Sequence, residues 1–175
     1  MLAYALEVGP RCGSVILIGI DGRSGAGKTT VAEQVAGLAG ERGLRTTIIH
    51  NDVLCPGWDG LPEIPARLDA LARQLAETGT ATYPTWDWLA DRPGAPAGVP
   101  PSDVVIVEGV AAIDPAWAAL RSVSVLVEAP APTRKRRAIQ RDGDSFARHW
   151  DHWAAAEDRY FALNPPRPDI LIELP

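Results

Sequence analysis

Gly22-Arg-Ser-Gly-Ala-Gly-Lys28-Thr29 is the most informative segment of this 175-residue chain, because it matches the pattern G-x-x-x-x-G-K-[ST] in full. The segment before it, 14–20, is apolar and rich in β-branched residues, which predicts a buried strand. The segment after it, 30–38, carries apolar residues at helical spacing. The sequence therefore predicts a strand, a glycine-rich turn and a helix in succession.

This succession of elements is what a phosphate-binding loop requires. Glycine lets the backbone curl so that several N–H groups point at one anion, and the start of the helix adds its positive end. Lys28 is expected to neutralise the β- and γ-phosphates of a nucleoside triphosphate, and the Thr29 hydroxyl to ligate Mg²⁺. The alternative is a glycine-rich turn that only caps a helix. The residues expected to contact the nucleotide are Gly22, Arg23, Ser24, Gly25, Ala26, Gly27, Lys28, Thr29 and Thr30.

Length and composition restrict the class of protein. The chain fits one domain, 1–175, and is long enough to bury a full core. The net charge of −5 argues against a sequence-independent nucleic-acid binder, and no apolar run approaches the length of a membrane span. Cys12 and Cys55 show no metal-binding spacing, and residues 1–13 lack the basic and apolar regions of a signal peptide. We expect a cytoplasmic protein, with a homodimer left open.

Other apolar runs resemble further strands and alternate with helical patterns. Near-continuous apolar strands that alternate with helices predict an α/β protein with a parallel sheet covered on both faces. In such a sheet, ligands bind outside the carboxyl ends of the strands. A segment rich in Pro, Gly and Trp, 83–101, has the length of either a functional loop on the substrate side or a flexible insert. The further strands expected are 45–50, 104–107, 123–127 and 170–172, and the further helices are 65–77, 115–121, 133–141 and 146–163.

Two carboxylates follow predicted strands and are candidates for the chemistry around the phosphates. Glu108 comes directly after the apolar run 104–107 and is expected to approach Mg²⁺ or its water ligands. Asp52 ends the stretch His50-Asn51-Asp52 and could accept a proton from a substrate hydroxyl or contact the metal. The alternatives are a solvated glutamate at a strand end and an aspartate that caps a turn.

Three arginines form a regular pattern near the carboxyl-terminal end. Arg134, Arg137 and Arg141 lie three and then four residues apart, so a helix would place them on one face. Guanidinium groups suit the charge that spreads over a transferring phosphoryl group. The sequence Asp142-Gly143-Asp144 is expected to break the helix, so the region 134–148 could close as a lid. The alternative is a solvated basic face.

Aromatic residues concentrate around the long loop. Trp58 follows Pro and Gly, and Tyr83, Trp86, Asp87 and Trp88 open the loop itself. A flat acceptor such as a nucleobase could stack on these rings, with Asp87 available to a base edge or a sugar hydroxyl. The alternative is a loop that its aromatic residues anchor to the protein's own core. In the last predicted helix, the residues expected to face the core are Trp150, Trp153 and Phe161.

Together these motifs resemble the uridine kinase branch of the phosphate-loop (P-loop) kinases, which is related to phosphoribulokinase and bacterial pantothenate kinase. The similarity spans 14–174 and is greatest to short actinobacterial proteins known as uridine kinase-like or ATP-binding. Those proteins carry a similar His-x-Asp…Gly-Trp-x-Gly-Leu stretch, which here spans 50–61. The segments that carry the resemblance are 22–29, Asp52, 83–88, 104–109 and 134–142.

The resemblance implies a P-loop NTPase three-layer sandwich, in which a five-stranded parallel sheet has helices on both faces. It implies ATP and Mg²⁺ as cofactors, Asp52 as the base toward the acceptor hydroxyl and Glu108 near the metal. It also implies that Arg137 and Arg141 are the catalytic arginines of the lid. Two features depart from the family. The usual Asp-Ser-Phe-Tyr is Asp-Val-Leu-Cys here, and the β-hairpin that holds the nucleoside is absent or replaced by 86–101.

The sequence therefore predicts an ATP-dependent kinase that transfers the γ-phosphate to a hydroxyl of a small molecule, with a nucleoside such as uridine or cytidine as the expected acceptor. The alternative is a regulatory NTPase that acts on a protein partner, although the Asn-Lys-x-Asp motif of guanine switches does not occur. The expected catalytic residues are Lys28, Asp52, Arg137 and Arg141, the expected metal contacts are Thr29, Glu108 and Asp52, and the expected substrate contacts are Asp52, Trp58, Tyr83, Trp86, Asp87 and Trp88.

Overall fold

A computed structural model describes residues 1–175, in which strands and helices alternate along most of the chain. The strands are β1 Ile16–Asp21, β2 Thr46–His50, β3 Ala81–Tyr83, β4 Trp86–Asp87, β5 Arg92–Pro93, β6 Ala97–Val99, β7 Val104–Glu108, β8 Val123–Glu128 and β9 Ile170–Glu173. The helices are α1 Leu2–Val8, α2 Lys28–Gly40, α3 Ile64–Thr78, α4 Ala131–Ala147 and α5 Trp150–Leu163. None of these helices combines the length and the apolar character that a membrane crossing requires.

The main sheet contains five parallel strands in the order β2-β7-β1-β8-β9. Ile18 of β1 lies opposite Ile106 of β7 and Val123 of β8, so β1 occupies the centre of the sheet. Every residue of β1 and β7 is buried, whereas β9, at the edge, alternates between half-buried and exposed residues. The predicted five-stranded parallel sheet is confirmed.

Helices cover both faces of this sheet. Along β7 successive side chains point to opposite faces, so that Val104 and Ile106 join one core cluster and Val105 and Val107 join the other. The first cluster includes buried residues of α1 and α2, and the second includes buried residues of α3, α4 and α5. The three-layer α/β sandwich expected for a P-loop NTPase is therefore confirmed.

The predicted substrate-side loop is a paired β structure. Strand β3 pairs antiparallel with β6, and β4 pairs antiparallel with β5, so the segment between β3 and β6 forms a hairpin. The sequence left open whether a hairpin is absent here or replaced by 86–101, and the structure has a hairpin in this region. Its strands contain only two or three residues each, so the sequence lacks the longer apolar and polar alternation by which a hairpin is recognised.

The helices near the carboxyl-terminal end differ in their limits from the prediction. The basic helix α4 continues past its expected end to Ala147, although Gly143 kinks it with a φ of 66°. Helix α5 therefore begins at Trp150 rather than at Phe146. The segment 115–121 forms a 3₁₀ helix instead of an α-helix. The helix residues predicted to face the core are buried, namely Trp150, Trp153 and Phe161.

Candidate nucleotide site and adjoining cleft

The phosphate-loop motif lies between the end of β1 and the start of α2, at the carboxyl edge of the sheet. Gly25 and Gly27 adopt positive φ values of 77° and 104°, a conformation that other residues rarely adopt. A Cβ at Gly25 would overlap the backbone oxygen of Arg134, so a side chain there would prevent α4 from packing on the loop. Because α2 begins at Lys28, its positive end faces the loop. This geometry suits a bound phosphate group.

Two oxygen groups come together beside the loop. The Thr29 hydroxyl donates to Oε1 of Glu108 at 3.0 Å, and Lys28 is buried nearby, with its Nζ donating to the backbone oxygen of Arg23 at 3.2 Å. No group of three or more His, Cys, Asp or Glu side chains forms a metal cage. A single hydroxyl and a single carboxylate fit Mg²⁺, which usually takes few protein oxygens and completes its shell with water and phosphate oxygens.

Glu108 also pairs with His50, a residue that sequence reasoning did not assign to the site. The two residues end β7 and β2 and lie opposite each other in the register. The Nδ1–H of His50 donates to Oε1 of Glu108 at 2.6 Å. Both residues directly follow apolar strand positions, a signal that places each at the rim of the sheet, but only the adjacency of β2 and β7 brings them into contact.

The electrostatics of this pair keep the Glu108 carboxylate ionised. Burial alone would raise the pKa of Glu108, but the hydrogen bond from His50 and the charge of Lys28 outweigh burial and hold that pKa below its usual value. The same hydrogen bond raises the pKa of His50. An ionised carboxylate next to the Thr29 hydroxyl is the form that a divalent cation requires.

A second contact between the same strand ends positions Asp52. Nδ2 of Asn51 donates to the backbone oxygen of Val110 at 2.7 Å. Gly109 has a φ of 144°, and a Cβ there would overlap the Asn51 side chain, so only glycine permits this approach. Asp52 follows in a 3₁₀ turn, and its backbone oxygen accepts a hydrogen bond from Nε1 of Trp88 at 3.0 Å. The turn is therefore held from two sides.

Asp52 opens into a cleft of about 580 Å³. Desolvation, followed by the charge of Glu108, raises the pKa of Asp52 above its usual value. A carboxylate whose pKa is raised is a stronger proton acceptor than an ordinary aspartate, which suits a general base. The cleft brings together many of the residues that the sequence singled out. They are Ser24, Gly25, Lys28, Thr29, Asp52, Trp58, Trp88, Glu108 and Arg141.

The three arginines of α4 lie in three different surroundings. Arg141 lines the cleft and makes two hydrogen bonds to the Asp142 carboxylate, at 2.8 and 2.7 Å. Arg137 does not reach the cleft, because its Nη2 donates to the backbone oxygen of Pro175 at 2.8 Å. Arg134 packs against the phosphate loop itself. The sequence predicted that Arg137 and Arg141 share a catalytic role. The structure does not bring them to the same place, because Arg137 contacts Pro175 while Arg141 lines the cleft.

Only part of the aromatic set reaches the cleft. Trp58 and Trp88 line it, and their rings meet edge-on with 4.9 Å between centroids. Trp58 is in addition stacked on His149, with 4.2 Å between ring centroids and an interplanar angle of 11°. It also stacks on Phe146 at 5.6 Å. The protein's own rings therefore surround Trp58, as the alternative of aromatic anchors predicted.

The other expected substrate contacts lie outside the cleft. The Asp87 carboxylate accepts hydrogen bonds from the backbone N–H groups of Leu89 and Ala90, both at 3.0 Å, and so caps the hairpin turn. Tyr83 packs against the main core cluster, and Trp86 packs beside Gly57 with its indole nitrogen buried and unpaired. The expectation that these three residues contact the acceptor is corrected, because each is engaged in holding the hairpin.

Comparison with known proteins extends the description of the fold. No protein-family model matches the sequence, and no curated protein is significantly similar to it. Among solved structures, a possible uridine kinase from Bacillus stearothermophilus is 24% identical over 91% of this chain and 89% of its own, with a TM-score of 0.64. A candidate fructose transport system kinase from Silicibacter sp. TM1040 is 22% identical over 97% of this chain and 96% of its own, with a TM-score of 0.69.

A third structure, D-glycerate 3-kinase from Cryptococcus neoformans, is 13% identical over 91% of this chain and 84% of its own, with a TM-score of 0.50. The names of these proteins refer to three different compounds, so the shared fold does not by itself select an acceptor. The similarities extend over nearly the whole length of both partners, which a shared short motif would not produce. The chain therefore has the same overall fold as these structures.

Proposed function

We propose that this protein is an ATP-dependent kinase that transfers the γ-phosphate to a hydroxyl group of a small, uncharged molecule. One observation carries the proposal. Asp52 opens into the same cleft as Lys28, Thr29 and Glu108. A phosphate-binding loop alone supports nucleotide binding, whereas a loop that faces a basic carboxylate across a cleft supports transfer to an acceptor that loses a proton.

On the donor side the loop backbone and Lys28 hold the triphosphate. Thr29 and Glu108 would hold Mg²⁺, because their oxygens lie 3.0 Å apart at the end of the loop. When bound, the metal ion supplies charge neutralisation to the phosphate oxygens. His50 keeps the Glu108 carboxylate in place through the hydrogen bond between them. These residues therefore bind and orient the donor, and none of them needs to form a covalent bond.

On the acceptor side Asp52 orients the attacking hydroxyl and receives its proton. In the proposed step the acceptor oxygen forms a bond to the γ-phosphorus, while the bond from that phosphorus to the bridging oxygen breaks and ADP leaves. Arg141 lines the same cleft, where its charge suits the oxygens of the transferring group once it leaves Asp142. The kink at Gly143 next to this pair supports a lid that moves.

The charges of the cleft favour an acceptor without a carboxylate or phosphate group. Its cationic side chains are Lys28, which serves the donor, His50, which pairs with Glu108, and Arg141, which pairs with Asp142. No further cation lines it. A nucleoside, as the sequence analysis expects, and a simple sugar both satisfy this condition. Because His149 and Phe146 already stack on Trp58, a base stacked on that ring would have to displace one of them.

A panel of nucleosides, sugars and sugar acids with MgATP tests the proposal, with ADP release as the readout. We expect turnover with one of the uncharged acceptors, and in Asp52→Asn a loss of about 10²- to 10⁴-fold in kcat, the usual contribution of a general base. Asp59→Asn is the matched control, since this exposed carboxylate of the same segment pairs with His152 outside the cleft. Acceptor-independent hydrolysis that Asp52→Asn leaves intact would contradict the proposal and favour the regulatory NTPase.

A further inference from the structure

Ser24, the third residue of the phosphate loop, is held at each of its polar groups by side chains of α4 and α5. Its backbone N–H donates to Oε1 of Glu157 at 2.7 Å. Its hydroxyl oxygen accepts a hydrogen bond from Nε1 of Trp153 at 2.9 Å. Its backbone oxygen accepts a longer bond from Nη1 of Arg134, at 3.4 Å. No other residue of the loop is held so completely by another part of the chain.

Glu157 is an unusual residue for this place, because its side chain is completely buried. Oε1 accepts hydrogen bonds from both Ser24 and Trp153, the latter at 2.8 Å, whereas Oε2 has no hydrogen-bond partner. The nearest charge is Nη1 of Arg134, 3.9 Å from Oε2. A buried carboxylate is costly when its oxygens are not all satisfied, and an apolar residue would serve the helix packing better. What Glu157 provides that an apolar residue cannot is the acceptor for the Ser24 N–H.

Trp153 joins the loop to the cleft. Its indole N–H is shared between Ser24 and Glu157, while its ring lines the cleft and meets Trp58 with 6.2 Å between centroids. Ser24 and Asp52 both line this cleft. Because the proposed transfer places the γ-phosphate between the loop and Asp52, the contacts at Ser24 would lie on the side of the loop where that phosphate binds.

We infer that Glu157 and Trp153 are positioning residues that hold the phosphate loop, through Ser24, in the conformation that accepts the γ-phosphate. The inference rests on the proposed function for the existence of the nucleotide site. Both residues act through Ser24, so their loss weakens nucleotide binding by letting the loop depart from its productive conformation. The effect is greater for a triphosphate than for a diphosphate, because Ser24 lies at the γ-phosphate end.

Calorimetric titration of the full chain with MgADP and with a Mg²⁺-bound, non-hydrolysable ATP analogue tests this inference without knowledge of the acceptor. In Trp153→Phe, which keeps a ring and removes the N–H, we expect the affinity for the ATP analogue to fall about three- to tenfold, the size of one hydrogen bond. We expect the affinity for MgADP to change by less than about twofold, which is less than the loss of one hydrogen bond would produce.

Substitutions of Glu157 separate its hydrogen bonds from its charge. In Glu157→Gln the amide oxygen can still accept from Ser24 and Trp153, so we expect near wild-type affinity for both nucleotides. In Glu157→Ala both bonds are lost, and we expect a fall in ATP-analogue affinity of about tenfold or more. Rescue by glutamine but not by alanine distinguishes positioning through hydrogen bonds from a general effect of burial.

Trp150→Phe is the matched control, because Trp150 is a buried tryptophan of the same helix that makes no hydrogen bond to the loop. Its melting temperature shows how much of any change in Trp153→Phe comes from lost packing. Equal ATP-analogue affinities in Trp150→Phe and Trp153→Phe would overturn the inference, as would equal losses for both nucleotides in Glu157→Ala. If Glu157→Ala does not fold, the comparison of the two phenylalanine variants decides. A wild-type chain that binds neither nucleotide would instead overturn the proposed function, and the inference with it.

Discussion

The proposed donor and acceptor sides of the cleft are built in different ways. The donor side consists of one continuous segment, 22–29, and two strand-end residues, Glu108 and His50, that the sheet register places opposite each other. The acceptor side consists of rings from distant segments, such as Trp58 and Trp88, which meet through side-chain packing, while Trp88 also donates one hydrogen bond to the backbone oxygen of Asp52. The backbone therefore determines the positions of the donor-side residues, whereas side-chain packing determines the positions of the acceptor-side rings.

This difference explains why the two sides differ in how far sequence patterns identify them. In a site set by the backbone, each position follows from its place in a strand or turn, so a local pattern is sufficient. In a site set by side chains, the residues next to a ring in the chain do not determine whether that ring faces the acceptor or packs on another ring. Trp58 and Trp86 lie in similar Pro- and Gly-rich surroundings, yet only Trp58 lines the cleft.

On the donor side a large effect is expected from Lys28→Met. This variant keeps the apolar stem of the buried side chain and removes the charge, so we expect the protein to fold and kcat/KM for ATP to fall by about 10³-fold, the size expected for a lost preorganised electrostatic contact. Circular dichroism and thermal unfolding serve as the control for folding. Activity within about tenfold of the wild type would mean that the loop is not the donor site.

Asp52 lies between the two sides of the cleft, and the pH dependence of kcat/KM tests its proposed role as the base. Because desolvation and Glu108 raise its pKa, kcat/KM should fall as the pH decreases through a value higher than that of an ordinary aspartate. The sign follows from its role, since the base must be deprotonated to accept the hydroxyl proton. A pH–rate profile measures this limb, which should disappear from the residual activity of Asp52→Asn. An unchanged acidic limb in that variant would assign it to another group.

A smaller effect is expected from His50→Ala, which removes the hydrogen bond that holds Glu108 beside Thr29. Loss of such an outer contact typically weakens metal binding by about 10- to 100-fold, so the Mg²⁺ concentration for half-maximal activity should rise by that order. The KM for the acceptor should stay unchanged, because His50 acts on the donor side. Titration of activity with Mg²⁺ at saturating ATP measures the effect. A change confined to the acceptor KM would place His50 on the opposite side.

The smallest effects are expected when the two tryptophans of the acceptor side are compared. Trp58→Ala removes a half-buried ring at the centre of the cluster, so we expect a higher KM for the acceptor and a loss of unfolding free energy of about 2 kcal/mol, less than for a fully buried ring. Trp86→Ala should lower stability without changing the acceptor KM, since this ring lies outside the cleft. Steady-state kinetics and denaturant titration distinguish the two. Equal KM values for the acceptor in Trp58→Ala and Trp86→Ala would show that Trp58 does not contact the acceptor.

Several parts of the fold and the site could be predicted from the sequence because they depend on local order. Continuous apolar runs identify the five strands of the main sheet, since strands buried on both faces have no polar alternation. Asp52 and Glu108 were predicted at the rim because parallel strands end at one edge. The hairpin was not predicted, since its strands are too short to carry a pattern.

The contacts that sequence reasoning missed link distant segments. His50 and Glu108 meet because β7 lies between β2 and β1 in the sheet, a strand order that the sequence patterns do not give. Glu157 was expected to lie on a core-facing helix, but nothing in its helix indicates that its carboxylate accepts the N–H of Ser24. Arg137 matches the spacing of Arg141 and still points to Pro175.

The sequence by itself determined the phosphate loop, the parallel sheet and the two carboxylates at its rim, because glycine conformation, strand burial and strand ends are local properties of the backbone. Only the tertiary structure decided which aromatic rings line the cleft, which arginine faces it and how α5 holds the loop. These outcomes depend on competition among side chains that are distant in the chain. The residues next to a side chain in the sequence do not determine which distant side chain it contacts.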